Sequence, residues 1–428
     1  MKKPVKRNCN KLFYGGFNIL YSYFTEKLTG LQGVLIKNVE NNDDFITISL
    51  EMKRKPHKCP CCGVETDKIH DYRLQHVKDI HAFGKPVYIN IRKRRYVCKH
   101  CAKRFYENIY FLPRYHRMTN RLAAFVIYKL RDERSFSSVA REVKLSVPTV
   151  IRIFDNIGYS APKTMPHVLA IDEFKGNTGR DKYQCILTDP ANGVVLDILP
   201  SRNSADLIRY LKSYHIQSRN NVKYFVSDMW QPYTDLASCF LKQATQIIDK
   251  YHFIRQCIWA FEGVRKREQK KYGKNNRLCF KNSKRILTKR ASKLKPYQKE
   301  KVESILYISP QLYTAYTLKE SFYEVIDCTN RENARRMMSD WIYEAENSGL
   351  PEYVKCAKTM INWQVGILNS FSAPYTNGFT EGCNNKIKVL KRNAYGYRNF
   401  KRFRNRILHM FYYKHELSMK NAVARTTA

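Results

Sequence analysis

Two Cys-x-x-Cys pairs, Cys59/Cys62 and Cys98/Cys101, flank residues 63–97. Each tight knuckle can turn two thiolates onto one ion, and two knuckles with strands between them predict a four-thiolate zinc ribbon. Four sulfurs already close a structural site, so the neighbouring His70, His76, His81 and His100 are read as exposed or base-stacking, not as ligands. Cys61 could replace Cys62, but Gly63 stands where the knuckle needs a permissive turn, which favours Cys62. Ahead of the ribbon, a helical stretch from Lys11 to Leu28 and two alternating strands, "GVLIKNV" and "FITISLEM", form a small platform. Platform and ribbon together occupy residues 1–108.

Charge narrows the partners. Lys plus Arg number 77 and Asp plus Glu 37, a net charge of +40 spread over 428 residues, of which 43% are hydrophobic. Such an excess repels itself unless a polyanion is present, so double-stranded DNA is the expected partner. No apolar run reaches the roughly 18 residues of a spanning helix, so no membrane is expected. Thirteen cysteines, an odd count, with Cys239 and Cys257 placed inside apolar helices, point to a reducing, cytoplasmic compartment. In "KPVYINIRKRRYVCKHCAKRFYE" the pattern sets Arg92, Lys93, Arg94 and Arg95 toward phosphates and Tyr96 and Phe105 inward, although a solvated charged face would look similar. Residues 109–163 read as a helix-turn-helix domain. Ser137 is the expected cap of its middle helix, Leu145 and Ser146 form the turn, and Pro148 opens the last helix. Ser146, Thr149 and Arg152 then face the groove, while Val147, Val150, Ile151 and Phe154 hold the helices together. An ordinary helical hairpin would satisfy the same spacing.

Three carboxylates carry the chemistry. "HVLAIDEF" is an apolar strand ending at Asp172, "VKYFVSDMWQPY" repeats that design at Asp228, and "TNGFTEGCNNKIKVLK" takes Glu381 from a Gly378 turn into a helix. An unpaired carboxylate leaving water costs several kcal/mol, so three at strand and helix ends suggest a shared divalent-metal site. Glu173 points to the opposite face if the strand continues. Strand, hairpin, helix, strand, helix, strand is the order of a ribonuclease-H-like mixed sheet, with Asp172 and Asp228 on adjacent strands. The fold class expected is α+β multidomain: the catalytic core occupies 164–263, an all-helical insertion 264–370, and closing helices 371–428. The insertion is basic and is expected to clamp DNA and help pair two DNA ends. Two divalent ions, Mg²⁺ or Mn²⁺, held by such carboxylates can activate an attacking hydroxyl and stabilise a leaving oxygen at a phosphodiester.

The zinc ribbon, the helix-turn-helix, "VLAIDEF", "YFVSDMWQPY" and "TNGFTEGCNNKIKVLKRNAYGYRNFKRFRNRI" together resemble the DDE transposases of bacterial insertion sequences, ISL family number three type. The resemblance covers nearly the full length. It implies that Asp172, Asp228 and Glu381 are the catalytic triad, and that Asp249 and His252 of "DKYH" support it. Asn385 and Lys388 follow Glu381 by four and seven residues, on one helix face, where they could touch substrate phosphate. It further implies binding of terminal inverted repeats, strand cleavage and transfer into target DNA, a homodimer or higher oligomer on DNA, and residence at the bacterial nucleoid. The rival reading is a DNA-binding regulator derived from a transposase that no longer cuts. A ribonuclease or junction nuclease of the same fold would have no reason to keep a ribbon and a helix-turn-helix.

Overall fold

The computed structural model of the chain describes residues 27–178 and 181–412. Nearly all of the helix expected at Lys11–Leu28 lies outside them. The chain divides into two compact units, residues 1–157 and 158–428.

In the first unit, strands β1 (Val34–Asn41), β2 (Ile46–Met52), β5 (Ile69–Ala82), β6 (Lys85–Val97) and β7 (Arg104–Tyr106) form one sheet in the order β1-β2-β6-β5, with β7 on β6. Both platform strands form as the alternation predicts. Val34, Ile48, Leu50, Val77, Ile89 and Ile91 fill one face of the sheet, each hidden from water by the two-residue period of its strand. The long β5–β6 hairpin turns at Phe83 and Gly84, both at positive φ (51° and 76°), as a tight turn between right-twisted strands requires. A short hairpin, β3 (His57–Lys58) with β4 (Glu65–Thr66), carries the first cysteine knuckle.

Three helices follow, Asn120–Lys129, Phe136–Glu142 and Val147–Asp155. Leu122, Val126, Val139, Ala140, Val150 and Phe154 are buried among them, and the Phe136 and Phe154 rings meet edge to face at 5.6 Å. The middle helix is capped by Ser135, whose hydroxyl accepts from the Ser138 N–H at 3.1 Å, and not by the expected Ser137, which lies inside the helix. Both serines match a cap by residue type. The helix starts at Phe136, two residues earlier than the apolar pattern alone suggests, so the cap moves with it.

The second unit is built on a sheet of β8 (Val168–Thr178), β9 (Asp181–Asp189), β10 (Val194–Leu199), β11 (Tyr224–Ser227) and β12 (Thr245–Ile248), in the order β10-β9-β8-β11-β12. β8 pairs antiparallel with β9 and parallel with β11, and β11 pairs parallel with β12. Both faces are covered, which is why the strands read as continuous apolar runs. Leu169, Ile171, Leu187 and Phe225 pack with Leu207, Leu211, Tyr233 and Leu236 of helices Ser204–Lys212 and Gln231–Phe240. Val168, Ala170, Val226 and Ile247 fill the other face, near Ala373 and Tyr375. The closing helix Gly378–Asn393 buries Cys383, Ile387 and Leu390, and the Thr188 and Thr380 hydroxyls meet at 2.8 Å, tying it to β9.

Between β12 and that helix the chain is helical, from Lys250–Gln269 to Gln364–Asn369, around one core. Helix Lys250–Gln269 runs unbroken through Val264, and its Phe253, Cys257 and Phe261 belong to the same core as Leu312, Phe322 and Trp341. The indole N–H of Trp341 donates to the Leu318 carbonyl at 2.8 Å, satisfying the one polar atom of a buried ring. Arg290, in the basic run, is engaged by Asp327. Cys257 is buried as the pattern predicts, but Cys239 is exposed: its helix covers only one face of the sheet. Among the described residues no helix is long and apolar enough to cross a membrane.

Candidate functional site

The four cysteines converge. Cys59 and Cys101 sulfurs lie 3.5 Å apart, as do those of Cys62 and Cys98, and all four lie within 4.8 Å of one another. A tetrahedral ion with Zn–S bonds of about 2.3 Å needs sulfur pairs about 3.8 Å apart, so the donor set fits zinc. The two knuckles are alike: Gly63 N–H donates to the Cys59 carbonyl and Ala102 N–H to that of Cys98. The residue after each second cysteine is left-handed, Gly63 at φ 72° and Ala102 at φ 55°. Cys61 is exposed and outside the set.

The DNA-reading candidates separate. Ser146 and Arg152 are exposed and Thr149 half-exposed on the last helix of the three, opposite buried Val150 and Phe154. Arg92 is exposed and lies over the Tyr72 ring at 3.9 Å, while Arg95 pairs with Asp71 at 3.4 Å. Arg94 cannot reach DNA. It is 4% exposed, its guanidinium facing Glu107 at 3.4 Å, Glu51 at 3.5 Å and the Met52 carbonyl at 2.5 Å. Arg94→Leu would leave the buried Glu107 carboxylate without its cation and Glu51 with Lys37 alone, and is expected to destabilise the first unit by about 3 kcal/mol. Chemical denaturation checks this against Arg92→Leu, expected to cost less than about 0.5 kcal/mol as a surface change.

In the second unit β8 does not end at Asp172 as expected. It continues to Thr178 because β9 keeps pairing with it, while its ladder with β11 stops at Ala170↔Val226. Extending that register by two residues brings Asp228 level with Asp172. Glu381 stands in the first turn of the closing helix. Burial, then the charges of Asp228, Glu381 and Glu173, push the Asp172 carboxyl up to about 7. Burial and then Glu173 push Asp228 up to about 6, and burial and then Asp249 raise Glu381. One oxygen of Asp228 is buried with no hydrogen-bond partner. All three carboxyls are held above their ordinary range, first by burial and then by neighbouring carboxylates: Asp228, Glu381 and Glu173 for Asp172, Glu173 for Asp228 and Asp249 for Glu381.

Residues not singled out in the sequence complete this ground. Asn384, 5% exposed, donates its amide to Asp172 Oδ2 at 2.8 Å, while the Glu173 N–H donates to Oδ1 at 2.8 Å. Asn385 is exposed and accepts from Lys388 at 3.3 Å. Glu173 turns to Arg202 at 3.0 Å and the Tyr233 hydroxyl at 3.4 Å. Asp249 caps helix Lys250–Gln269 and accepts from the Asn377 N–H at 2.9 Å, and Asn377 in turn accepts from the Glu381 N–H at 2.9 Å. Asp249, His252 and Glu381 offer ligand atoms all within 4.8 Å of one another, the other such set besides the cysteines among the described residues. His252 Nε2 is buried without a partner, and burial lowers its pKa, favouring the neutral imidazole that binds metals.

Comparison with known proteins agrees along the chain. Residues 169–407 match a family model described as transposase, of the ISL3 type. Residues 55–101 match the zinc-finger of transposase IS204/IS1001/IS1096/IS1165, and residues 107–158 the helix-turn-helix domain of transposase family ISL3. The transposase for insertion sequence element IS1001 of Bordetella parapertussis is 27% identical over 386 residues, covering 87% of this chain and 94% of that protein. The transposase for IS1557 of Mycobacterium tuberculosis is 22% identical over 241 residues, 51% of this chain and 54% of its own length.

Proposed function

Since the chain belongs to the ISL3 family of transposases, we propose that Asp172, Asp228 and Glu381 are its catalytic triad and hold Mg²⁺ or Mn²⁺ for cleavage and strand transfer at the ends of an insertion sequence. The observation that carries this is the position of Asp172 and Asp228 at the same level of adjacent strands, with one buried Asp228 oxygen unpartnered and the Asp172 carboxyl raised by burial and then by the charges of Asp228 and Glu381. The sheet order β10-β9-β8-β11-β12, with its first two pairings antiparallel and the next two parallel, supports a ribonuclease-H-like core. The helices before Glu381, residues 264–370 in this reading, form an insertion that steadies DNA and helps pair two ends in a homodimer or larger assembly. Zinc ribbon and helix-turn-helix read the terminal inverted repeats.

In the first step water attacks the phosphorus at the element end, the bond to the 3′ oxygen breaks, and a 3′ hydroxyl and a 5′ phosphate result. In the second step that hydroxyl attacks a target phosphorus and the target's own 3′ oxygen leaves, so bonds made equal bonds broken. When bound, divalent ions supply a lowered pKa for the attacking hydroxyl and charge for the leaving oxygen. The chain's residues position and hold. Asn384 and the Glu173 N–H each fix one oxygen of Asp172, and Asp249, through Asn377, fixes the turn from which Glu381 rises. Asn384→Ala is expected to slow Mg²⁺-dependent cleavage about 10- to 100-fold, as loss of a partner to a ligand does, with DNA binding unchanged. Gel assays of cleavage and binding check it.

A second arrangement is favoured by the close approach of Asp249, His252 and Glu381. There Asp249, His252 and Glu381 would hold one divalent ion, which would supply the same charge and the same lowering of a hydroxyl pKa. A DNA carrying the element ends, incubated with the full chain and Mg²⁺, tests the function itself. Free 3′ hydroxyls and joined products are expected; end binding with neither would favour a regulator that no longer cuts.

A further inference from the structure

The closing helix ends in a turn whose backbone the sequence makes difficult. Tyr395 N–H donates to the Arg392 carbonyl at 3.1 Å and Gly396 N–H to that of Lys391 at 2.9 Å, the paired bonds of a helix stop that needs a left-handed residue just past the cap. Tyr395 occupies that place at φ 54°, where glycine would sit without steric cost. Strained backbone ordinarily persists where packing repays it, yet the Tyr395 side chain is fully exposed, at 101%. The turn itself is rooted: Tyr397 is buried and stacks on Phe403 at 4.6 Å. The ring is therefore presented to solvent from a fixed base.

It stands on a cleft of about 740 Å³ lined by Lys388, Lys391, Arg392 and Arg398, with Gly176 and Asn177 of β8 as one wall and no acidic residue. Among the described residues none of these four cations pairs with a carboxylate. Lys391 donates to the Lys175 carbonyl, joining the cleft to the strand that carries Asp172. Four cations outside any salt bridge among the described residues, of which Lys388 alone feels a carboxylate, Glu381, suit phosphates, and an exposed ring on a fixed turn suits the face of a base. A base inside a duplex already has both faces stacked, so the ring suits an unpaired one.

We propose that this cleft cradles a DNA strand, its cations on successive phosphates and Tyr395 stacked on an unpaired base. The proposal rests on the reading of Asp172, Asp228 and Glu381 as the cleavage site. Fourteen residues separate Glu381 from Tyr395, about 21 Å along a helix. Hence the stacked base lies about six base steps from the bond that is cut, at 3.4 Å per step. Preference for frayed or forked element ends follows.

The test uses the full chain and a fluorescein-labelled 12-nucleotide single strand, without added divalent ion, over a series of salt concentrations. Tyr395→Gly is expected to bind about tenfold more weakly, with an unchanged slope of log affinity against log salt, because a stacking contact releases no counterion. Its thermal midpoint should equal wild type or exceed it by up to about 3 °C, since glycine relieves the turn. Tyr395→Phe should bind as wild type does, and Arg398→Gln should lower the slope by about one phosphate contact. Wild-type binding by Tyr395→Gly, or a loss in Tyr395→Phe as large as in the glycine variant, overturns the proposal. Dependence on Tyr395 in a protein that never cleaves would instead sink the catalytic reading and leave the cleft standing.

Discussion

Asp228→Asn is expected to cut Mg²⁺-dependent strand cleavage by at least about 10³-fold, to leave DNA binding intact, and to make the metal-free protein more stable at alkaline pH. The loss follows from several kcal/mol of charge stabilisation, each 1.36 kcal/mol being about a tenfold change in rate. The gain follows from burial and Glu173, which push Asp228 up to about 6 from an unfolded value of 3.8. A carboxyl raised on folding holds its proton more tightly in the folded state. Stability therefore falls as pH rises from about 4 through 6, and the penalty is complete above that. Asp172, pushed up to about 7, adds to the same window. An amide at position 228 does not ionise, so up to about 3 kcal/mol should return at pH 8 and almost nothing at pH 4. Denaturation at the two pH values without added divalent ion, beside a cleavage assay, reads both effects. A variant that cleaves at nearly the wild-type rate removes Asp228 from the site.

Cys98→Ser is expected to abolish zinc binding and with it the order of the two knuckles, residues 57–66 and 98–103. Structural zinc contributes about 10–16 kcal/mol in small finger domains, as much as a whole domain's net stability of about 5–15 kcal/mol. The ribbon hairpin of β3 and β4 has two residues per strand, too few to stand without the metal. The platform sheet has its own core in Val34, Leu50, Ile89 and Ile91 and should keep its fold. Elemental analysis should fall from one zinc per chain to none, limited proteolysis should cut within the ribbon, and preference for element ends should vanish. A zinc-free variant still resistant to protease through the ribbon would contradict this.

Much of this architecture was legible because local chemistry demanded it. Knuckle spacing, the apolar runs leading to Asp172 and Asp228, and a cap with proline before Val150 each leave few alternatives. What escaped depends on neighbours distant in sequence. A helix places residues three and four past Glu381 on one face alike, and only the position of β8 decides that Asn384 reaches Asp172 while Asn385 meets water. In β6 the buried parity changes, from Val87, Ile89 and Ile91 to Arg94 and Tyr96. Its pairing with β2 ends at Ile91 and its pairing with β7 begins at Arg95, so the strand passes from one environment to another. The alternation that made Arg94 look like a phosphate ligand continues across a change that sequence does not mark. Likewise a charge at Asp172 suggests a strand end, but β9 alone is enough to carry β8 on to Thr178.

The central claim is that Asp172 and Asp228, with Glu381, hold the catalytic ions. It is tested most directly by anomalous scattering from crystals of the full chain bound to an element end and soaked in Mn²⁺. The account predicts manganese in contact with carboxylate oxygens of Asp172, Asp228 and Glu381. Manganese held by Asp249, His252 and Glu381 alone, with Asp172 and Asp228 bare, would contradict it.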